Sequence, residues 1–157
     1  MKKIVIVFLL VGFLGLSFGV HSAAPENSVI RIIDGDTVEI MGEGTKPFKV
    51  RLMGIDAPER RQPYGKKSKQ VLSDLIYKKI VRLVGSKKDR YGRTLSRLYV
   101  GEIDVSAAMV EQGAAWVYRR YTSDPVLYKA EELAKETKRG LWALPDPMPP
   151  WKWRKKK

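Results

Sequence analysis

Ser28-Val-Ile-Arg-Ile-Ile-Asp-Gly-Asp-Thr-Val-Glu-Ile-Met41 is the stretch from which the architecture can be read. β-Branched residues crowd both of its arms, 28–33 and 37–41, and Asp34-Gly35-Asp36 lies between them. That pattern predicts two strands joined by a turn, a hairpin carrying two carboxylates at its bend.

A loop over 42–47 leads to Phe48–Met53, where apolar and polar residues alternate as in a half-buried strand, with Lys49 and Arg51 on the polar side. Pro58 holds Ala57 extended and marks the end of that strand, and 60–65 reads as a loop. From Lys66 to Lys79, Val71, Leu72, Leu75 and Ile76 recur at helical spacing beneath a lysine-rich face. Residues 80–84 and 94–100 read as two further strands. A short helix fits 105–111, stopping near Gly113. A longer one fits 125–139, with Pro125 in its first turn and Gly140 just past its end. The four prolines between Pro145 and Pro150 make the tail read as extended. Five strands, a helix between the third and fourth and two helices after the fifth predict an α+β chain: a five-stranded Greek-key β-barrel of OB type with three flanking helices.

The chain has 157 residues, 44% of them apolar, enough for one core and one domain. Met1-Lys2-Lys3 precedes an almost unbroken apolar run from Ile4 to Val20, and small residues follow through Ala24. Residues 1–24 therefore read as a secretory signal, which sends the protein to the periplasm or the medium; an uncleaved membrane anchor is the alternative. The remaining organisation is one domain over 25–144 and a basic Pro/Trp-rich tail over 145–157.

Cysteine is absent, and His21, the only histidine, lies in the segment expected to be removed. Disulfides, ordinary zinc sites, Ser-His and Cys-His nucleophile pairs and histidine general bases are thereby excluded from the mature chain. Its chemistry must run on carboxylates, arginines, lysines, tyrosines and a hard metal ion bound through oxygen. A formal net charge of +13, reduced to +11 if Lys2 and Lys3 leave with the signal, favours a polyanion as partner.

Asp34 and Asp36 can face one hard cation from the hairpin bend, and Asp56 joins them if its strand neighbours the hairpin; equally, an Asp-Gly-Asp bend can simply satisfy its own amides. Glu59 just after Pro58 is placed to orient or deprotonate a water, or is a solvated loop carboxylate. Arg51 and Arg93 can hold a phosphodiester and stabilise charge on its oxygens, or form exposed ion pairs. Trp116-Val-Tyr-Arg-Arg-Tyr121 offers aromatic faces beside cations, or packs into the core.

Asp34-Gly-Asp-Thr37, Arg51-Leu-Met-Gly-Ile-Asp-Ala-Pro-Glu59 and Asp89-Arg-Tyr-Gly-Arg93, in that order and at these intervals, resemble the staphylococcal nuclease (thermonuclease) family from about Val29 to Trp142. The resemblance implies a Ca²⁺-dependent endonuclease that hydrolyses DNA and RNA to 3′-phosphate products. It implies Asp36 and Asp56 as metal ligands, the backbone carbonyl of Ala57 as a third, and Asp34 in support. Threonine is frequent in the family where Ala57 stands. Arg51 and Arg93 would stabilise the transition state and Glu59 would act on the attacking water. Tyr121, with Arg119 in place of a partner tyrosine and with Tyr91, would contact the substrate. The expected assembly is a monomer with no obligate protein partner and no stable membrane span once the signal is cleaved. Two rival readings are an OB-fold nucleic-acid-binding module that has lost cleavage and a basic surface-adhesive protein.

Overall fold

A computed structural model describes residues 27–42 and 46–156, so the expected signal segment lies outside the described residues. No helix among those described is long and apolar enough to cross a membrane.

The opening stretch forms the expected hairpin: β1 (Ser28–Ile32) runs antiparallel to β2 (Thr37–Met41). β3 (Pro47–Leu52) adds antiparallel to β2, placing Thr37 opposite Arg51. A short β4 (Ile55–Asp56) precedes helix α1 (Gly65–Ile76). β5 (Arg82–Lys88) and β6 (Thr94–Val100) form a second hairpin, and β6 lies parallel to β3 with Val50 opposite Thr94. β7 (Ile103–Asp104) pairs with β6, giving a six-stranded sheet whose main path is β1-β2-β3-β6-β5. A single bridge from Ser28 to Ile80 curls the lead-in to β5 back toward β1 without completing a ladder. The five strands expected are all present. The α+β reading of OB type stands, with two additions: β7 at the sheet edge, and a separate two-stranded sheet in which β4 pairs with β8 (Trp116–Val117).

Val29, Val38, Ile40, Val50, Leu52 and Leu98 supply the inner face of the sheet and are buried. Against them pack Leu72 and Ile76 of α1, Met109 and Val110 of α2 (Val105–Glu111), and Leu127 of α3 (Pro125–Glu136). α1 stops earlier than its periodicity predicts because Tyr77 is extended and Lys78 adopts a positive φ. α2 and α3 start at aspartate caps: Asp104 accepts from the amides of Ser106 and Ala107, and Asp124 from that of Val126, with Pro125 in the first turn. Arg97 of β6 donates to both caps, at 2.9 Å to Asp104 and 2.7 Å to Asp124, so one guanidinium ties the sheet to two helix starts.

The tail corrects the sequence reading. Pro150–Trp153 forms a short helix, α4, and Arg154–Lys156 continues as a 3₁₀ turn. Proline suits a first helical turn, where its missing N–H is not needed, and tertiary contacts hold the turn in place. Trp151 stacks flat on Tyr118 with ring centres 5.2 Å apart and meets Trp116 edge-on, while Trp116 also meets Trp142.

Candidate active site

Two strand pairings assemble the acidic centre. The β2–β3 register sets Asp36 beside Arg51, and the amide of Leu52 donates to the Asp36 carbonyl at 2.9 Å. β4 pairs Asp56 with Trp116, which seals that carboxylate to 1% exposure. At Gly35 a side chain would strike Ser68 of α1 and the methyl of Ala57, so glycine lets the hairpin bend close down on the segment that follows β4. The amide of Ala57 donates to Asp36 Oδ2 at 2.7 Å, and Thr37 donates to Oδ1 at 3.0 Å.

Arg51 sits at the centre of this arrangement. Its Nη2 lies 3.0 Å from Asp36 Oδ2 and 3.0 Å from Asp56 Oδ1, while Nη1 donates to the carbonyls of Leu52 and Ile55. The side chain is only 12% exposed, and every Nη position is engaged, leaving Nε–H as its uncommitted donor among the described contacts. Asp34 stands at the edge, accepting from the Asp36 amide at 3.1 Å. Burial, reinforced by the Asp36 charge, pushes its carboxyl up to about 6. Burial likewise pushes the Asp56 carboxyl up, opposed by its guanidinium bonds. Both shifts mark carboxyls whose charged forms are costly in this buried setting unless a positive charge stands beside them.

Arg93, the residue just before β6, reaches the same edge. Its Nη1 is 3.4 Å from Thr37 Oγ1, and Nε and Nη2 pair with Asp89 at 2.8 and 2.7 Å. Slight burial opposes ionisation of Asp89, but the bonds from Arg93 and from the Tyr91 amide outweigh it and hold the carboxyl below its usual range. Tyr91 is exposed, with the Arg93 guanidinium 5.5 Å from its ring centre. Tyr121 is exposed too and meets Tyr118 edge-on at 4.8 Å. Arg119 is committed elsewhere: it donates at 2.7 Å to Glu131, a buried carboxylate, and lies over the ring of Tyr128.

Two participants escape a sequence reading. Gln62 is buried, accepts from the Glu59 amide at 3.1 Å and donates to the Met148 carbonyl, which fastens the loop after Glu59 to the tail. Arg154 reaches in from that tail and donates to Asp56 Oδ2 at 2.7 Å, to Oδ1 at 3.3 Å and to Glu59 Oε1 at 2.8 Å. No local pattern marks an arginine in a Lys/Arg-rich terminus as a partner of an aspartate 98 residues earlier.

Beyond Glu59 the surface opens into a cavity of about 870 Å³ lined by Arg60, Arg61, Lys66 and Lys67, with Tyr64 and Trp153 as aromatic walls and no acidic side chain. Phosphates are what such a lining attracts.

Among the described residues no three His, Cys, Asp or Glu side chains converge into a ready-made metal cage. The donors that do meet are the carboxylates of Asp36 and Asp56, with the Ala57 segment against them. Two anionic oxygens, supplemented by backbone carbonyl and water, suit a hard oxygen-seeking cation and offer nothing to a thiophilic one.

Acid groups for water and metal, guanidiniums for a phosphodiester and a cationic approach together define a nuclease, a hydrolase of phosphodiester bonds. Comparison with known proteins agrees. The profile of the staphylococcal nuclease homologues matches residues 49–144. A protein of Haemophilus influenzae described as an uncharacterized endonuclease is 44% identical over 156 residues, covering 98% of this chain and 86% of the relative. A protein of Escherichia coli O157:H7 with the same description is 43% identical over 142 residues, covering 90% and 92%. The micrococcal nuclease of Shigella flexneri is 38% identical over 138 residues, covering 81% and 79%. The chain belongs to the staphylococcal nuclease family, and it is an endonuclease.

Proposed function

We propose that this chain is an exported, calcium-dependent endonuclease that cuts DNA and RNA and leaves 3′-phosphate ends. The observation that carries the reading is the meeting of two buried aspartates, Asp36 and Asp56, on Arg51, in a chain whose next segment after Glu59 lines a groove with four cations and no acid. Asp36, Asp56 and the Ala57 carbonyl would hold the metal, which when bound supplies positive charge to a non-bridging phosphate oxygen. Arg51, through its uncommitted Nε–H, and Arg93 would hold the scissile phosphate from two sides. Glu59 orients a water for in-line attack and accepts its proton, the bond from phosphorus to the 5′-oxygen breaks, and that oxygen takes up a proton from solvent water to leave as a hydroxyl.

Arg60, Arg61, Lys66 and Lys67 bind the strand through its phosphates, which favours a polymeric substrate over a small phosphodiester. Exposed Tyr91 and Tyr121 offer faces to bases. Residues 1–24 direct export, and the protein acts as a monomer outside the cytoplasm.

Digestion of single- and double-stranded DNA and of RNA by protein lacking residues 1–24, with Ca²⁺, with Mg²⁺ and with chelator, tests the reading. Calcium-dependent cutting with 3′-phosphate ends is expected. Binding without cutting under every metal condition would replace the enzyme with a nucleic-acid-binding module.

A further inference from the structure

The family match ends at residue 144, yet the acidic centre receives a guanidinium from residue 154. Asp56 has two oxygens: Oδ2 takes Arg154 Nη2 at 2.7 Å, and Oδ1 is shared between Arg51 Nη2 at 3.0 Å and Arg154 Nη1 at 3.3 Å. The same Nη1 holds Glu59 at 2.8 Å. Three carboxylates, those of Asp36, Asp56 and Glu59, are thus balanced by two arginines, one from the sheet and one from the tail. Those bonds push the Arg154 guanidinium further toward its charged form, the Asp56 bond foremost.

Arg154 is held in place rather than lying there by chance. Gln62 binds the Met148 carbonyl, Trp151 stacks on Tyr118 with the ring planes 2° apart, and Pro150 is buried. The arm is anchored as far as Trp151, while the Arg154 side chain is 42% exposed and borders solvent. Lys155 and Lys156, next in the chain, are exposed and have no ion-pair partner among the described residues.

We propose that Arg154 is a positioning residue of this nuclease that competes with the divalent cation for Asp56 and keeps Glu59 docked until the cation arrives. The inference rests on the reading that Asp36 and Asp56 hold the metal. Asp56 already accepts three guanidinium N–H bonds, so a cation must compete with them for its oxygens, and a dication placed beside two guanidiniums meets repulsion from both. Arg51 is buried in the sheet and stays; Arg154 stands on a half-exposed arm and is the one to leave. Cation binding and release of Arg154 are then one exchange, which lowers affinity for the metal and holds the acids together in its absence.

Calorimetric titration of Ca²⁺ into substrate-free protein lacking residues 1–24, comparing wild type with Arg154→Ala, Arg154→Lys and Lys156→Ala, tests this. We expect Arg154→Ala to bind calcium about tenfold more tightly than wild type, a difference well within what such titrations resolve. Arg154→Lys, a single ammonium unable to fork between Asp56 and Glu59, should fall between, and Lys156→Ala should match wild type. Equal or weaker calcium binding by Arg154→Ala overturns the proposal, even if that variant melts at a lower temperature, because the arginine would then serve only to dock the tail. No calcium binding by wild type or by Arg154→Ala would remove the metal site itself, and the exchange with it. The two failures are thereby distinguished.

Discussion

Arg51 and Arg93 carry the same side chain in very different surroundings, and their variants should separate accordingly. Arg93 is 27% exposed and pairs with one surface carboxylate, so Arg93→Ala should fold normally and lose turnover by about 10²–10³, the usual cost of removing one preorganised charge donor. Activity within threefold of wild type would take Arg93 out of the mechanism. Arg51 also neutralises two buried aspartates, so its loss leaves uncompensated charge in the core. We expect Arg51→Ala to melt well below wild type in chelator and to recover part of that loss when calcium is added, which a thermal scan with and without metal would show. Glu59→Gln preserves shape and removes the base, so retained full activity would move water activation to another group. These roles rest on side-chain chemistry and motif spacing, and for Asp36, Arg51 and Asp56 the motifs named the residues that meet. What the motifs did not contain is the clamp that Arg51 makes, because a donor's partners depend on which strands lie beside it.

Helix α3 shows how a charged element can be built into the core. Glu131 is fully buried, accepts from the Val117 amide of β8 at 2.9 Å, and pairs with Lys135 and Arg119 at 2.8 and 2.7 Å. Burial alone would favour its neutral form, but the Lys135, Val117 and Arg119 bonds outweigh it and hold the carboxyl below its ordinary 4.5. A carboxylate depressed on folding stabilises above its unfolded pKa, and that contribution is lost as pH falls through the lower folded value. Glu131→Gln should therefore cost about 1–3 kcal/mol near neutrality. In urea denaturation the gap to wild type should narrow below pH 4.5; an unchanged gap there would mean packing, not charge, explains the loss. Arg97 has a comparable place between the caps of α2 and α3, and Arg97→Met should destabilise by releasing both helix starts from β6. The positions of α2 and α3 were legible from Gly113, Pro125 and Gly140. The buried Glu131 was not, since in a helix rich in Lys and Glu it reads as one more solvated charge.

Across the whole molecule the net charge is +13, and four of the cations, Arg60, Arg61, Lys66 and Lys67, line one groove whose part in binding a salt series should report. For single-stranded nucleic acid, each phosphate contact contributes about 0.7 to the slope of log affinity against log salt. Lys66→Ala with Lys67→Ala should then lower the slope by about 1.4, provided both lysines meet phosphates. An unaltered slope in a filter-binding series would place the strand on another face. The same lysines also occupy the start of α1, where cations are unfavourable to the helix dipole and no acidic residue offsets them. Their presence there is an exception to the local rule, as functional positions often are.

The amino-acid sequence by itself determined the five principal strands, the first three helices, the exclusion of thiol chemistry, and the three motifs that bring Asp36, Asp56, Glu59, Arg51 and Arg93 under one reading. Those features are local: alternation, helical periodicity, turn residues and short spacings are written in consecutive residues. Tertiary structure alone decided that β4 and β8 pair to seal Asp56, that Arg119 turns to Glu131, and that the tail folds as a helix carrying Arg154 to Asp56. Each depends on contacts between segments distant in sequence. An arginine among terminal lysines acquires its partner only when Trp151, stacked on Tyr118, and a glutamine bond set the tail in place, and no periodicity in 145–157 encodes that meeting.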